Sequence, residues 1–255
     1  MKKILVVGIV CVLLTGLILA CTTQNLEEQK AQEEAIRTLG EAYLRQGKYR
    51  VALKHLKKAE ALYPSDHLLQ DDLGLAYLYL KDPDLAIFHF KKALEIKDDY
   101  SPARNNLGNA YAEKKEWDKA IEQYEIVISN LLYVTPQFPY SNLGIAYYHK
   151  QEYGLSEKYF KKALDITPDF VRALYGLAKT FIASGRIAQA VETLEFTVAK
   201  HPENARLHFE LAETYKLKRD YRRAYGSYIR VVQIDPNTAL ADKALIEAKL
   251  LQPLL

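Results

Sequence analysis

The residues of this 255-residue chain that could perform acid–base, nucleophilic or metal chemistry are 6 histidines, 2 cysteines and 32 carboxylates. None of the histidines pairs with another His or Cys at the spacing of a zinc motif; they are His55, His67, His89, His149, His201 and His208. The carboxylates interleave with lysines, as in EEQKAQEE, which is typical of solvated helix faces. No nucleophile motif and no phosphate-binding glycine loop is recognised. The sequence therefore predicts a protein that is not an enzyme and that holds no metal and no cofactor.

Cys21 is the side chain whose neighbours indicate a specific reaction. It follows two lysines and the apolar run Ile4–Ala20, and the local sequence LILAC resembles the bacterial lipobox. The resemblance implies that residues 1–20 are a lipoprotein signal peptide and that Cys21 is acylated after cleavage. Acyl chains contribute about 0.8 kcal/mol per buried methylene, so they would hold the chain on a membrane. An uncleaved transmembrane anchor is the alternative, although the run is at the short limit for a span.

Charge and the residue after Cys21 indicate a compartment. Cleavage would leave 33 basic and 32 acidic side chains, a balance that gives no electrostatic basis for binding nucleic acid. In the lipoproteins that the motif resembles, an Asp after the cysteine favours retention in the inner membrane, and this chain has Thr22 there. The resemblance therefore implies a location outside the cytoplasm, at the periplasmic face of the outer membrane.

A short pattern recurs six times along the chain. It consists of a leucine, a small residue and, three positions later, an aromatic residue, as in LGEAY, and it returns at intervals of 34 residues. One interval, from Gly108 to Gly144, is 36 residues. In LGEAYLRQG the Leu and the Tyr share one face of a helix, and the Gly lets a neighbouring helix approach closely. KYRVALKHLKKAEALYP predicts a second amphipathic helix that ends before Pro64.

These units resemble the tetratricopeptide repeat, a helix–turn–helix of 34 residues. The resemblance implies an all-α, right-handed superhelical solenoid of six repeats, because each helix pair buries its apolar face only against its neighbours. The repeats fall at 33–66, 67–100, 101–134 followed by a two-residue insertion, 137–170, 171–204 and 205–238. Residues 21–32 would form the lipid anchor, the tether and the start of the first helix. Residues 239–255 keep helical spacing without a partner helix and are predicted to cap the last repeat.

In this repeat family the first helices line a concave groove that binds extended or helical peptides. The resemblance therefore implies a protein-binding groove formed by residues of repeats two to six. They are Asp71, Leu75, Tyr79, Asn105, Asn109, Glu113, Phe138, Asn142, Ile145, His149, Arg172, Tyr175, Lys179, Arg206, Phe209 and Glu213.

Part of this set resembles the carboxylate clamp of chaperone-binding members of the family. Asn109, Asn142 and Arg172 match clamp positions, whereas Asn105 and Gly176 stand where the clamp needs basic residues. This departure predicts that the partner is not a chaperone tail.

The long interval places two extra residues between Val127 and Asn142. The apolar run Leu131–Val134 lies in this join, and the sequence suggests that the preceding helix is longer than its counterparts. One interpretation is a local repacking that buries these side chains between repeats three and four. The other is an exposed apolar knob on which a partner docks.

The combination of features resembles the pilotins of type IV pili, which are lipidated proteins made of six tetratricopeptide repeats. The shared features are LILAC, the six repeats, a short tether and the longer join TPQFPYSNLG before repeat four. The resemblance implies a secretin or pilus assembly factor as the partner and acyl chains as the membrane contact. An adaptor that recruits peptidoglycan enzymes or other envelope machinery is the alternative, and an enzyme with an unrecognised site is a third.

Overall fold

The computed structural model describes residues 25–255. The predicted signal peptide and Cys21 lie outside this range. Within it, no helix combines the length and apolar character needed to cross a membrane.

All the regular structure between residues 25 and 255 is helical, which confirms the predicted all-α repeat fold. The first helix, α1, covers residues 25–45. Eleven helices of 13 or 14 residues follow it, so that α1 to α12 form six consecutive pairs; α13 comes after the last pair, and a short 3-10 helix at Gln252–Leu254 follows it. Their bounds are α2 Tyr49–Leu62, α3 His67–Tyr79, α4 Pro83–Ile96, α5 Ser101–Glu113, α6 Trp117–Ser129, α7 Gln137–His149, α8 Tyr153–Ile166, α9 Val171–Ala183, α10 Ile187–Lys200, α11 Ala205–Leu217, α12 Tyr221–Ile234 and α13 Ala239–Leu251.

The turn inside each repeat has the same backbone conformation. One residue of each turn has a φ between 60° and 77°, and these residues recur at the intervals of the sequence pattern: Gly47, Lys81, Lys115, Gln151, Gly185 and Arg219. A left-handed residue after a helix lets the chain reverse and satisfies the last carbonyls of that helix. Four of the six are not glycine, so the turn is imposed by the packing of the two helices as well as by local preference.

Small residues on the first helix of a repeat let the second helix approach closely. A Cβ on Gly40 would lie 2.7 Å from Leu56 Cδ2, and one on Gly74 would lie 2.4 Å from Phe90. On Gly144 it would lie 2.7 Å from Phe160. The glycines of the pattern are therefore required by packing, because real Cβ contacts are not that short.

The described residues divide into two compact units, one ending at Lys114 and the other covering Lys115–Leu255. In the N-terminal unit, a core that includes Leu56 and Leu73 joins α1, α2 and α3. In the C-terminal unit, Phe160 lies in a core with residues of α8, α9 and α10. A second core in this unit continues from α9 to α13, where Ala244 and Ala248 pack against the last repeat, and this confirms the capping helix.

The structure tests two predictions about the join before repeat four: the length of the preceding helix and the burial of the apolar side chains. The preceding helix α6 has 13 residues and ends at Ser129, so it is not longer than its counterparts. Leu131, Leu132 and Val134 are 96, 88 and 88% exposed, so the burial interpretation is wrong for these three side chains. The Asn130 side chain accepts a hydrogen bond from the Leu132 backbone N–H at 3.0 Å, and this turn directs the apolar residues into solvent.

Candidate protein-binding site

In the N-terminal unit, several predicted groove residues belong to the interior. Asp71 and Asn105 are buried, and Leu75 is half-buried against the core of this unit. The Asp71 carboxylate accepts a hydrogen bond from Asn106 Nδ2 at 3.0 Å. Asp71 therefore links α3 to α5, and neither Asp71 nor Asn105 offers much surface to a partner.

The other predicted residues of this unit are more accessible. Tyr79 is exposed and stacks on Tyr49, with ring centroids 4.6 Å apart. Glu113 is exposed and pairs with Lys81 at 2.9 Å, and Asn109 is half-buried.

The same unit contains a buried acidic cluster that the sequence analysis missed. Arg37 of α1 lies 3.3 Å from an Asp66 oxygen and 3.4 Å from an Asp72 oxygen. Glu33, one turn before Arg37, is only 2% exposed, and its Oε1 has no hydrogen-bond partner among the described residues. One guanidinium therefore faces several buried carboxyl groups. Its single positive charge cannot compensate all of them, so burial and mutual repulsion disfavour their ionisation.

Burial governs the ionisation of this cluster. It raises the pKa of Glu33 to about 7, with repulsion by Asp66 as the next cause. It also raises the pKa of Asp72 to about 7, with added repulsion from Asp71, and the pKa of Asp71 to about 7. No group of side chains within residues 25–255 has the composition and geometry of a metal site.

In the C-terminal unit, the structure brings five predicted groove residues together. Ile145 and His149 of α7 and Arg172, Tyr175 and Lys179 of α9 line a cavity of about 280 Å³. We call this cavity the α7–α9 pocket. Tyr148, Phe160 and Gly176 complete its lining, and none of these three was predicted.

A larger cavity adjoins it along α9. This α9–α11 pocket has a volume of about 710 Å³ and shares Arg172 and Tyr175 with its neighbour. Phe170 and Leu207 give it apolar walls, and Arg206 stands at its side. The two pockets together form a groove across the first helices of repeats four, five and six, which we call the C-terminal groove.

The remaining predicted residues lie at the edge of this groove or outside it. Phe138 is exposed and makes an edge-to-face contact with Phe170, with centroids 5.5 Å apart. Asn142 and Phe209 are both 4% exposed, and Phe209 packs into the core against Tyr228. Glu213 accepts a hydrogen bond from the Tyr228 hydroxyl, so its carboxylate serves the fold.

The floor of the α7–α9 pocket depends on two glycines. Phe160 is 1% exposed and lies between α7 and α9. A Cβ on Gly176 would lie 2.2 Å from the Phe160 ring, and one on Gly144 would lie 2.7 Å from it. Gly176, which breaks the resemblance to the carboxylate clamp, is thus the residue that leaves room for the ring.

Buried hydroxyl groups fix the helices around this ring. The Ser156 hydroxyl donates to the Gly144 carbonyl at 2.8 Å and lies 2.9 Å from the Thr180 hydroxyl. Thr180 donates to the Gly176 carbonyl at 2.8 Å. Ser156 stands where the other repeats have alanine, and its hydroxyl is stable there because it finds these partners.

Of the three pocket residues that were not predicted, the sequence contains a signal for one. Tyr148 lies three positions after Ile145 on the same helix face, so helical spacing could have added it. Phe160 and Gly176 gave no comparable signal, because their roles arise from contacts between different repeats.

Two models of the tetratricopeptide repeat match the chain, one over residues 37–102 and 175–239 and the other over 77–128 and 148–197. The fission yeast Schizosaccharomyces pombe anaphase-promoting complex subunit 3 is 26% identical over 141 residues, which is 49% of this chain and 21% of that protein. The chain thus spans about a fifth of the length of this relative.

Solved structures extend the likeness to nearly the whole described chain. PilW, a type IV pilus biogenesis factor, is 23% identical with a TM-score of 0.77, over 84% of this chain and 98% of PilW. PilF of Pseudomonas aeruginosa is 20% identical with a TM-score of 0.70, over 86% of this chain and 99% of PilF. Because one repeat model alone matches just over half of the sequence, the chain belongs to the tetratricopeptide-repeat proteins, whose helix pairs form a scaffold for binding other proteins.

Proposed function

We propose that this chain is a lipid-anchored scaffold of the bacterial envelope that acts as a type IV pilus pilotin, helping a secretin to reach and assemble in the outer membrane. The observation that carries the proposal is the C-terminal groove, which offers apolar, aromatic and cationic contacts to another polypeptide. The likeness to PilW supports it, since the shared fold covers 98% of that protein and 84% of this chain.

The sequence around Cys21 supports the membrane attachment. LILAC has the small residue before cysteine that lipoprotein processing requires, and Thr22 favours the outer membrane over the inner one. We expect a radioactive or clickable fatty acid to label the protein in cells and Cys21→Ala to abolish the label. Cys11→Ala is the matched control and should leave labelling unchanged. Labelling of Cys21→Ala would contradict the proposed anchor.

Deletion of the gene in the source bacterium tests the proposed role. We expect secretin monomers to accumulate at the expense of multimers, as resolved by electrophoresis of unheated membranes and immunoblotting. The wild-type gene should restore the multimers, and the gene for Cys21→Ala should restore them poorly. Normal secretin multimers in the deletion strain would contradict the pilotin role and direct attention to peptidoglycan enzymes and other envelope machinery.

A further inference from the structure

The α7–α9 pocket has the size of a site for one or two side chains. Its volume of about 280 Å³ is just below the ~300–1,000 Å³ that is common for small-molecule sites. Its floor is the Phe160 ring, and Ile145, Tyr148 and Tyr175 form apolar and aromatic walls. An aliphatic or aromatic side chain of a partner would bury its surface against these groups.

Two cations stand at the same pocket without a carboxylate partner in the described chain. Lys179 Nζ lies 5.2 Å from the Tyr148 ring centroid and 5.7 Å from the Tyr175 ring centroid. Arg172 is exposed, and neither it nor Lys179 forms an ion pair within residues 25–255. No carboxylate lines the pocket, so its field is positive.

Several other cations of the C-terminal unit are held in ion pairs with nearby carboxylates. Lys150 pairs with Asp118 at 2.6 Å, Arg186 with Glu157 at 2.7 Å and Arg230 with Glu203 at 2.7 Å. Arg206, at the neighbouring α9–α11 pocket, pairs with Glu210 at 2.8 Å. Arg172 and Lys179 have no such carboxylate within the described residues and both line a cavity, so they are available to an external anion.

The histidine of the pocket does not add a third charge near neutral pH. His149 stacks on Trp117, with ring centroids 4.3 Å apart and nearly parallel planes. Burial lowers the pKa of His149, and the positive charges of Lys179 and Lys115 lower it further. Its ring therefore acts as an uncharged wall, and the charge of the pocket comes from Arg172 and Lys179.

We infer that the α7–α9 pocket binds an acidic segment of a protein partner in which an aliphatic or aromatic side chain stands next to Asp or Glu. The apolar side chain fills the space above Phe160, and the carboxylate contacts Arg172 and Lys179. The segment continues into the α9–α11 pocket, because Arg172 and Tyr175 line both cavities. This inference deepens the proposed function, since it states the chemistry of the partner that the scaffold receives.

Three fluorescein-labelled peptides of twelve residues test this chemistry by fluorescence anisotropy on the full chain in a non-ionic detergent. The first alternates Glu and Phe, the second has Lys in place of Glu, and the third has Ser in place of Phe. We expect the first peptide to bind at least tenfold more tightly than either of the others, and more weakly as salt is raised. Equal binding of the acidic and basic peptides, or of the Phe and Ser peptides, would overturn the inference.

Charge reversal locates the site. Arg172→Glu with Lys179→Glu should weaken binding of the first peptide at least tenfold and leave the far-ultraviolet circular dichroism spectrum unchanged. Lys218→Glu with Arg222→Glu makes the same charge change on exposed residues that do not line the groove, and affinity should stay within twofold. Equal losses in the two double variants would indicate a general charge effect and overturn the assignment to the pocket.

The peptide experiments and the deletion experiment test different claims, so one claim can be contradicted while the other stands. Selective peptide binding together with normal secretin multimers in the deletion strain would keep the pocket and remove the pilotin role. Loss of secretin multimers on deletion, with no peptide selectivity, would keep the pilotin role and remove the pocket as the partner's site.

Discussion

The N-terminal and C-terminal units place different chemistry at the same positions of the repeat. The fifth and sixth residues of repeat two are Asp71 and Asp72, which are buried with raised pKa values. The fifth and sixth residues of repeat five are Tyr175 and Gly176, which line the α7–α9 pocket. One unit therefore fills the space between its first helices with carboxylates, and the other leaves that space open.

This difference shows that the repeat pattern determines where the helices lie, whereas the chemistry of the surface between them depends on the individual side chains. The sixth residue of repeat three is Asn106, whose amide donates to Asp71. The sixth residue of repeat five is Gly176, and the Phe160 ring occupies the space that a side chain at this position would fill. A change at one position of the repeat thus turns a polar contact inside the protein into the floor of an open pocket.

The largest expected effect on stability comes from a buried phenylalanine that both units contain. Phe90 and Phe160 occupy equivalent positions, each fully buried against a glycine of the preceding helix. Phe90→Ala and Phe160→Ala should each lower the free energy of unfolding by about 3–5 kcal/mol, because the lost ring leaves a cavity. Urea denaturation followed by circular dichroism measures both changes.

Exposed phenylalanines of each unit provide the controls for that measurement. Phe88→Ala and Phe196→Ala should lower the free energy of unfolding by only about 1 kcal/mol, since each residue is already about half exposed. A cost for Phe160→Ala no greater than that for Phe196→Ala would mean that the ring is not part of the core, and the pocket would lose its floor.

Much of the fold could be predicted from the 34-residue pattern, because small, aromatic and alanine positions recur wherever two helices meet. The accessible residues of the groove could not be predicted in this way. The fifth residue is buried in repeats two, three and six, where it is Asp71, Asn105 and Phe209. In repeat five it is Tyr175, which lines both pockets. Exposure there depends on the side chains of the neighbouring repeats, which a position in one repeat does not encode.

A single exchange should make the C-terminal unit resemble the N-terminal one. Gly176→Asn introduces the residue that repeat three carries at this position, and its Cβ would meet the Phe160 ring. We expect a loss of about 1–3 kcal/mol in the free energy of unfolding from overpacking, together with loss of acidic peptide binding. Gly154→Asn is the control, since a Cβ there meets no atom within 4 Å. Unchanged peptide affinity in Gly176→Asn would show that the floor is not used.

The acidic cluster of the N-terminal unit predicts a pH dependence. The pKa of Glu33 is raised to about 7, whereas an unfolded glutamate titrates near 4.5. Between these values the folded chain binds more protons than the unfolded chain, so this group lowers stability as pH rises, until the loss is complete above about pH 7. His89 opposes this slope, because burial lowers its pKa to about 4.

Glu33→Gln isolates the contribution of the glutamate. The variant should be more stable than the wild type at pH 8, by about 1 kcal/mol, because it no longer buries a charge without a hydrogen-bond partner. At pH 5 the two should be nearly equal, as judged by urea midpoints. Glu34→Gln, on the exposed side of the same turn, should change both values by less than about 0.5 kcal/mol, because its repulsion is the weakest of the charge effects on Glu33. A variant that is less stable at pH 8 would show that attraction to Arg37 outweighs the cost of burial.

The smallest expected effect concerns a feature of the C-terminal unit that does not belong to its core. Leu131→Ser with Leu132→Ser should change the free energy of unfolding by less than about 0.5 kcal/mol, because both side chains are already in water. Leu143→Ala, at a fully buried position nearby in the chain, should cost about 2–5 kcal/mol in the same urea titration. A large loss in the double serine variant would mean that these leucines are covered when the protein folds, and it would restore the interpretation of the join as a repacked segment.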